Sequence, residues 1–115
     1  MRWGKNSNLT DLANYKTFYL TKEIVAKKET DIGNFSVQPG IWLIIGFMDW
    51  SANQDCVYSF MLNGRNVRAS AINGGGTMNV SIVKSSAATT ISVAAYHNGT
   101  QTMTARSNIY AIKLG

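Results

Sequence analysis

Residues 77–97 have the sequence TMNVSIVKSSAATTISVAAYH, which carries the clearest strand pattern in the chain. Apolar side chains at Met78, Val80 and Ile82 alternate with the polar side chains of Thr77, Asn79 and Ser81. The same alternation returns after the Ser85-Ser86 turn, at Ile91, Val93 and Ala95. Successive side chains of a β-strand point to opposite faces, so a period of two predicts strands. No helical period competes with this pattern after residue 33.

Turn-forming residues continue the pattern on both sides of this stretch. Most of them are about 8 to 12 residues apart, the spacing typical of an antiparallel sandwich or barrel. Asn63-Gly64 is the strongest hairpin signal, because both residue types tolerate the positive φ of a type I′ turn, and Asn98-Gly99 is a second. We therefore predict an all-β protein. The predicted turns are at Gly33, Pro39-Gly40, Ala52-Asn53, Asn63-Gly64, Gly74 to Gly76, Ser85-Ser86, Asn98-Gly99 and Ser107-Asn108.

The strand predicted at residues 41–48, IWLIIGFM, is apolar on both of its faces. In a sandwich of this size, one face fills the core between the sheets, and the other also needs a cover. Either the N-terminal segment folds back over it or another subunit packs against it. A glycine inside a strand, here Gly46, indicates a bulge or a close approach of another part of the backbone.

The N-terminal part has a weaker pattern. Residues 1–14 are polar and without a clear period, and we interpret them as a leader or connector. Tyr, Thr and Phe dominate from Tyr15 to Leu20, which favours a strand. Residues 24–30 fit either a helical turn or a strand. We expect one domain over residues 15–115.

Composition excludes several classes of protein and of site. The chain has 115 residues, 45% of them hydrophobic and 15% charged, which argues against a disordered tail or a coiled coil. One cysteine, Cys56, excludes an internal disulfide framework and a multi-cysteine zinc site. Asp49 and Asp55 offer too few ligands for a calcium loop. We predict no metal, no cofactor and no catalytic residue.

Charge and hydropathy bear on the partners. The formal net charge of +5 raises the possibility of nucleic acid, but the cations are interleaved with acids or widely spaced, so none is expected. The apolar run 41–48 is too short to span a bilayer, so no membrane insertion is expected either.

Four segments together resemble a trimeric jelly-roll head. They are GNFSVQPGIWLIIGFMDW (33–50), YSFMLNGRNVRAS (58–70), a hairpin within TMNVSIVKSSAATTISVAAYHNG (77–99), and a closing strand, residues 109–114, within SNIYAIKLG (107–115). The order is similar to the complement globular-head and tumour-necrosis-factor-like fold, as used at the tips of bacteriophage tail fibres and receptor-binding proteins.

The resemblance implies a jelly-roll β-sandwich assembled as a homotrimer, which would cover the second face of strand 41–48. It implies an extracellular, virion-tail protein that recognises a saccharide or other receptor on a host cell. A purely structural, trimerising virion protein without a ligand is the alternative. A small carbohydrate-active enzyme is a third possibility, although no nucleophile elbow or ordered triad is visible.

Candidate ligand contacts follow from the chemistry of sugar binding, which combines an aromatic face with side chains that make forked hydrogen bonds. Two loops and one hairpin offer these side chains. Trp50 could instead cap the core at a strand end, and His97 is most simply an exposed turn residue. The predicted ligand-binding residues are Asp49, Trp50, Asn53, Arg65, Arg68, Tyr96 and His97.

Overall fold

Eight β-strands form the part of the chain that the computed structural model describes, residues 14–51, 54–71 and 77–115. They are β1 (Tyr15–Ile24), β2 (Thr30–Val37), β3 (Gly40–Trp50), β4 (Cys56–Leu62), β5 (Arg65–Ala71), β6 (Thr77–Ser85), β7 (Thr89–His97) and β8 (Met103–Lys113). No helix in these residues is long and apolar enough to cross a membrane.

The strands form two antiparallel sheets of four strands each. The first sheet has the order β1-β8-β3-β6 and the second the order β2-β7-β4-β5. Only the β4–β5 connection joins two neighbours within a sheet; every other connection crosses to the opposite sheet. This arrangement is the jelly-roll β-sandwich, so the predicted fold class is confirmed.

The core lies between the sheets and is filled by alternate residues of the strands. Phe18 of β1 stacks on Phe35 of β2 with ring centroids 4.3 Å apart, which joins the two sheets along one edge. The largest fully buried apolar side chains come from both sheets: Trp42, Ile44, Met48, Tyr58, Phe60, Leu62, Ile91 and Ile109.

Strand β3 is apolar on both faces, as predicted. Trp42 and Ile44 point into the core, whereas Leu43, Ile45 and Phe47 point to the outer side of the first sheet. We call this outer side the apolar face. Its side chains form three rows across β1, β8, β3 and β6: Tyr15-Ile112-Leu43-Ile82, Thr17-Tyr110-Ile45-Val80 and Tyr19-Asn108-Phe47-Met78.

The predicted alternation in β6 is confirmed, and its apolar side points outward. Met78 and Ile82 are exposed, whereas Thr77 and Asn79 are buried. In an ordinary edge strand the apolar side packs on the core and the polar side faces water, so β6 has the opposite orientation.

The turn predicted at Asn63-Gly64 is confirmed, and Gly46 is in close contact with a side chain. Asn63 and Gly64 have φ values of 51° and 83°, the two positive values that a type I′ turn requires. At Gly46 the register is continuous, so there is no bulge, and the group that approaches it closely is the Phe60 side chain rather than backbone. A Cβ atom at Gly46 would lie 2.6 Å from Cζ of Phe60.

Two predicted turns are wrong. Gly33 lies inside β2 at a bulge, where Asp31 Oδ1 accepts a hydrogen bond from the Gly33 amide. Ser107 and Asn108 lie in the middle of β8, which begins at Met103 rather than at Ile109. β8 is paired on both sides, and this long-range pairing overrides the local turn preference of the two residues.

The two predicted hairpins in the C-terminal half are also wrong. β6 and β7 lie in different sheets, so the Ser85-Ser86 turn carries the chain across the sandwich. Asn98-Gly99 likewise joins β7 of the second sheet to β8 of the first. Both dipeptides do end strands, but the topology decides which strands then pair.

The structure shows how most of residues 24–30, predicted as either a helical turn or a strand, connect the first two strands. β1 continues to Ile24, residues 25–29 form a connection with Lys27 at a φ of 61°, and β2 begins at Thr30. Of the predicted leader, residues 1–13 lie outside the described residues. Asn14 accepts a hydrogen bond on its carbonyl oxygen from the Lys113 amide, which fixes the start of β1 beside β8.

Candidate functional site

A groove lies on the outer side of the second sheet, with a volume of about 500 Å³. The strand register explains its shape, because one row of paired residues runs from Tyr96 on β7 to Ser59 on β4 and Arg68 on β5. The small Ser59 side chain thus lies between two long ones. Ser59 is only 4% exposed, so it forms the floor, and Tyr96 and Arg68 form the walls.

A second row lengthens the groove toward the β4–β5 hairpin. Met61 pairs with Asn66 across the hairpin, and both line the groove. A two-residue turn at Asn63-Gly64 fixes this register, because it places Leu62 opposite Arg65 and hence Met61 opposite Asn66.

The other end of the groove is closed by Asn98. Its side-chain Oδ1 accepts a hydrogen bond from the main-chain amide of Val57 at 2.8 Å, and its main-chain amide donates to the Val57 carbonyl at 3.1 Å. These two bonds extend the β4–β7 pairing past the end of β7. Asn98 therefore has a fixed position, with its side-chain amide group at the groove wall.

Glu29 reaches the groove from the connection between β1 and β2. The Lys27 amide donates to the His97 carbonyl at 2.8 Å, which holds this connection against the end of β7. The exposed Glu29 side chain consequently lines the same groove as Tyr96.

The groove therefore combines one aromatic ring, one guanidinium, one carboxylate and two side-chain amides. Arg68 and Glu29 are not paired with each other, since Asp49–Arg106 is the one ion pair among the described residues. A guanidinium makes two parallel hydrogen bonds to a planar acceptor, and carboxylates accept from hydroxyl or ammonium groups. Such a groove suits a polar ligand with many hydroxyls, whereas an apolar ligand would leave these groups unpaired.

Only two of the seven predicted ligand residues, Arg68 and Tyr96, meet in this groove. Arg65 lines a separate depression with Val80, Ser81 and Ile82. Asp49 lies on the outer side of the opposite sheet, where its Oδ1 accepts from Nε of Arg106 at 2.7 Å.

Trp50 and His97 are buried, which removes both side chains from a surface site. Trp50 is 4% exposed and packs against Tyr58, with ring centroids 5.1 Å apart, so it caps the core. His97 is 0% exposed, which makes its interpretation as an exposed turn residue wrong. The remaining predicted residue, Asn53, lies outside the described residues.

Main-chain groups hold the side chain of His97 in place. Its Nδ1 accepts from the Gly99 amide at 3.1 Å, so the ring proton is on Nε2, which lies 3.0 Å from the Ile24 carbonyl and donates to it. One neutral ring thus joins the end of β1 to the β7–β8 connection. Both ring nitrogens are occupied by main-chain groups, which leaves neither available to a substrate.

Tyr58, beside Trp50 and His97, has an altered acidity. Burial, together with the neighbouring Cys56 thiol, raises the pKa of Tyr58 to about 12. Its hydroxyl donates to the Gln54 carbonyl at 2.7 Å. Within the described residues no group of three His, Cys, Asp or Glu side chains could hold a metal ion.

Sequence reasoning missed Glu29, Val57, Ser59 and Met61 in this groove, and the predicted ligand residues also did not include Asn66 and Asn98. The position of Ser59 opposite Arg68 follows from the hairpin register and was available from the sequence. The approach of Glu29 and the pairing of Ser59 with Tyr96 depend on contacts between distant segments, for which the sequence carries no local signal.

Comparisons with known proteins support the fold. No protein-family model and no curated protein matches the sequence. Among solved structures, the chain is similar to one described as "Bacillus endospore appendages form a novel family of disulfide-linked pili", with 9% sequence identity and a TM-score of 0.51. The similarity covers 89% of this chain and 90% of that one. At this identity it shows a shared β-sandwich fold and nothing further.

Proposed function

We propose that this protein is a non-enzymatic receptor-binding head that recognises a saccharide on a bacterial cell surface. The observation that carries this proposal is the row Tyr96–Ser59–Arg68, which places an aromatic ring and a guanidinium on opposite walls of one groove. A phage or prophage tail, outside the host cell, is the proposed setting, and a homotrimer is the proposed assembly.

The chemistry of the groove supports a sugar more than other ligands. The ring of Tyr96 is half-buried, so one part is held by the fold while another is free to stack against the C–H groups of a sugar ring. Arg68, Asn66 and Asn98 supply donors for hydroxyl groups, and Glu29 supplies an acceptor. Three such sites on one trimer would increase the apparent affinity without new contacts.

Binding to host cells or to a glycan array, measured with the purified protein, tests the proposal. We expect Arg68→Ala to weaken binding about tenfold or more, because a charge-assisted hydrogen bond is lost. Arg65→Ala is the matched control: it removes the same side chain from the same strand but outside the groove, and we expect unchanged binding. Equal binding by the wild type and Arg68→Ala would contradict the assignment of this groove.

A purely structural subunit without a ligand is the second candidate function. The apolar face, which suits assembly better than solvent exposure, is the observation that favours it. The structurally similar pilus protein is described as disulfide-linked, but Cys56 is the only cysteine in these 115 residues. One cysteine forms one disulfide bond, so these 115 residues by themselves can be linked through disulfides only in pairs. An intact assembly that binds no host-cell fraction would favour the structural role.

A further inference from the structure

The apolar face has no charged residue in its three rows, and several of its side chains are exposed. Ile82 is 66% exposed, Tyr19 58%, Met78 54% and Phe47 45%. Ten of the twelve positions in the rows are apolar or aromatic, the exceptions being Thr17 and Asn108. Contiguous apolar patches of this kind on a soluble protein mark interaction surfaces.

In strand β6 the order of residues itself places apolar side chains on the outer side of the sheet. Its apolar residues Met78 and Ile82 point outward, while Thr77 and Asn79 are buried against the core. Thr77 Oγ1 and Asn79 Oδ1 have no hydrogen-bond partner among the described residues. In a lone protomer the strand would bury polar atoms at a cost and expose apolar ones at a further cost. A partner that covers the outer side removes the second cost.

The dimensions of the apolar face decide between the candidate covers. Four strands about 4.8 Å apart are about 19 Å wide, and residues 41–47 extend about 24 Å at roughly 3.4 Å per residue. The face therefore projects to roughly 450 Å². A single extended segment is one strand wide, so it would cover about a quarter of this width. Two faces in contact bury about 900 Å², twice the projected area, which is at the low end for specific protein interfaces.

The charges indicate what kind of partner fits. They lie outside the rows: the Asp49–Arg106 pair and Glu23 toward one end of the face, Lys84 beside Ile41 at the other, and Arg65 beside Val80 and Ile82 at the edge formed by β6. A face without charges in its centre offers no electrostatic selection of a foreign protein, and copies of this chain that meet through it bury no unpaired charge. We propose that the apolar face is the surface through which copies of this chain associate.

This arrangement leaves the groove free, because the groove lies on the outer side of the opposite sheet. Each copy would then present its groove away from the contact between copies. The inference does not depend on receptor binding, since a structural subunit would use the same face.

The mass of the full chain in solution, measured by light scattering at micromolar concentration, tests the inference. We expect a multiple of the 12.6 kDa of one chain. The double variant Phe47→Glu with Ile82→Glu is expected to have the mass of one chain, because each contact would bring carboxylates into an apolar interface. Ser92→Glu adds a carboxylate at an exposed position of the opposite sheet and is expected to keep the assembly.

A milder variant keeps the test decisive if the double variant does not fold. Ile82→Ser is expected to raise the dissociation constant of the assembly about tenfold or more, with circular dichroism unchanged. A wild-type protein of one-chain mass would overturn the inference. The inference would also be overturned if Ile82→Ser and the double variant both folded and both kept the assembly of the wild type. Neither outcome bears on the groove, which is tested separately by Arg68→Ala.

Discussion

The side-chain amide of Asn79, on β6 of the first sheet, donates a hydrogen bond of 3.0 Å to the main-chain carbonyl of Phe60, on β4 of the second sheet. The same nitrogen donates to the Arg65 carbonyl at 2.7 Å. Asn79 is 1% exposed, so one buried polar group connects the two sheets beside the β4–β5 hairpin that carries the groove.

Replacing this residue tests its contribution to stability. We expect Asn79→Ala to lower the free energy of unfolding by about 2 to 3 kcal/mol, because two main-chain carbonyls lose a donor in a buried region. Urea denaturation provides the measurement. Asn34→Ala, at an exposed position of β2, is the control and is expected to change stability by less than about 0.5 kcal/mol. Equal effects of the two variants would show that the inter-sheet bonds contribute nothing.

The close approach at Gly46 gives a second prediction. Gly46→Ala is expected to cost about 1 to 3 kcal/mol of unfolding free energy, because the new Cβ atom would lie 2.6 Å from Cζ of Phe60. Phe60→Leu removes that atom, so the same glycine substitution should cost less in the Phe60→Leu background. Thermal unfolding of the four proteins in this cycle gives the coupling. An identical cost in both backgrounds would mean that the Phe60 ring is not the obstacle.

A third prediction concerns the main-chain bonds of His97. His97→Leu leaves the Gly99 amide and the Ile24 carbonyl without their partner and is expected to cost about 2 to 4 kcal/mol. His97→Gln retains one donor and one acceptor and should recover part of this loss. Hydrogen exchange is expected to increase at residues 25–29 and in the β7–β8 connection in the leucine variant. Exchange that increases uniformly over all strands instead would argue against a local role.

The raised pKa of Tyr58 predicts a loss of stability at high pH. The pKa is 10.0 in the unfolded chain and about 12 in the folded protein, so the folded state keeps the proton when the unfolded state releases it. The contribution of this group is fully present below pH 10 and is lost as the pH rises toward 12, by up to about 3 kcal/mol. Urea denaturation at a series of alkaline pH values measures this slope. Tyr58→Phe should remove it, and a slope unchanged by that substitution would assign the effect to other groups.

The local patterns predicted some elements well. The alternation in residues 77–83 and 91–95 and the doubly apolar 41–48 gave β6, β7 and β3, and Asn63-Gly64 gave the one hairpin together with its register. These predictions succeeded because a period of two and a type I′ turn depend on residues that are neighbours in the chain.

Other local signals were misleading. Ser107 and Asn108 have the composition of a turn but lie in β8, where pairing with both β1 and β3 satisfies their main chain. His97 precedes Asn98-Gly99 and resembles a surface residue, yet the Ile24 carbonyl, 73 residues away, holds its ring in the core. The sequence predicts Trp50 and His97 as ligand residues because a residue type alone does not show whether a side chain at the end of a strand points into the core or into solvent.

The sequence by itself determined that this chain is all-β, where β3, β6 and β7 run, and that β3 needs a cover on both sides. Contacts between distant strands show that the apolar side of β6 continues that outer surface, and that Tyr96, Ser59, Arg68 and Glu29 meet in one groove. The physical reason is that side-chain alternation is a local property of the backbone. Which strands become neighbours depends instead on the burial of the whole core, to which residues far apart in the chain contribute together.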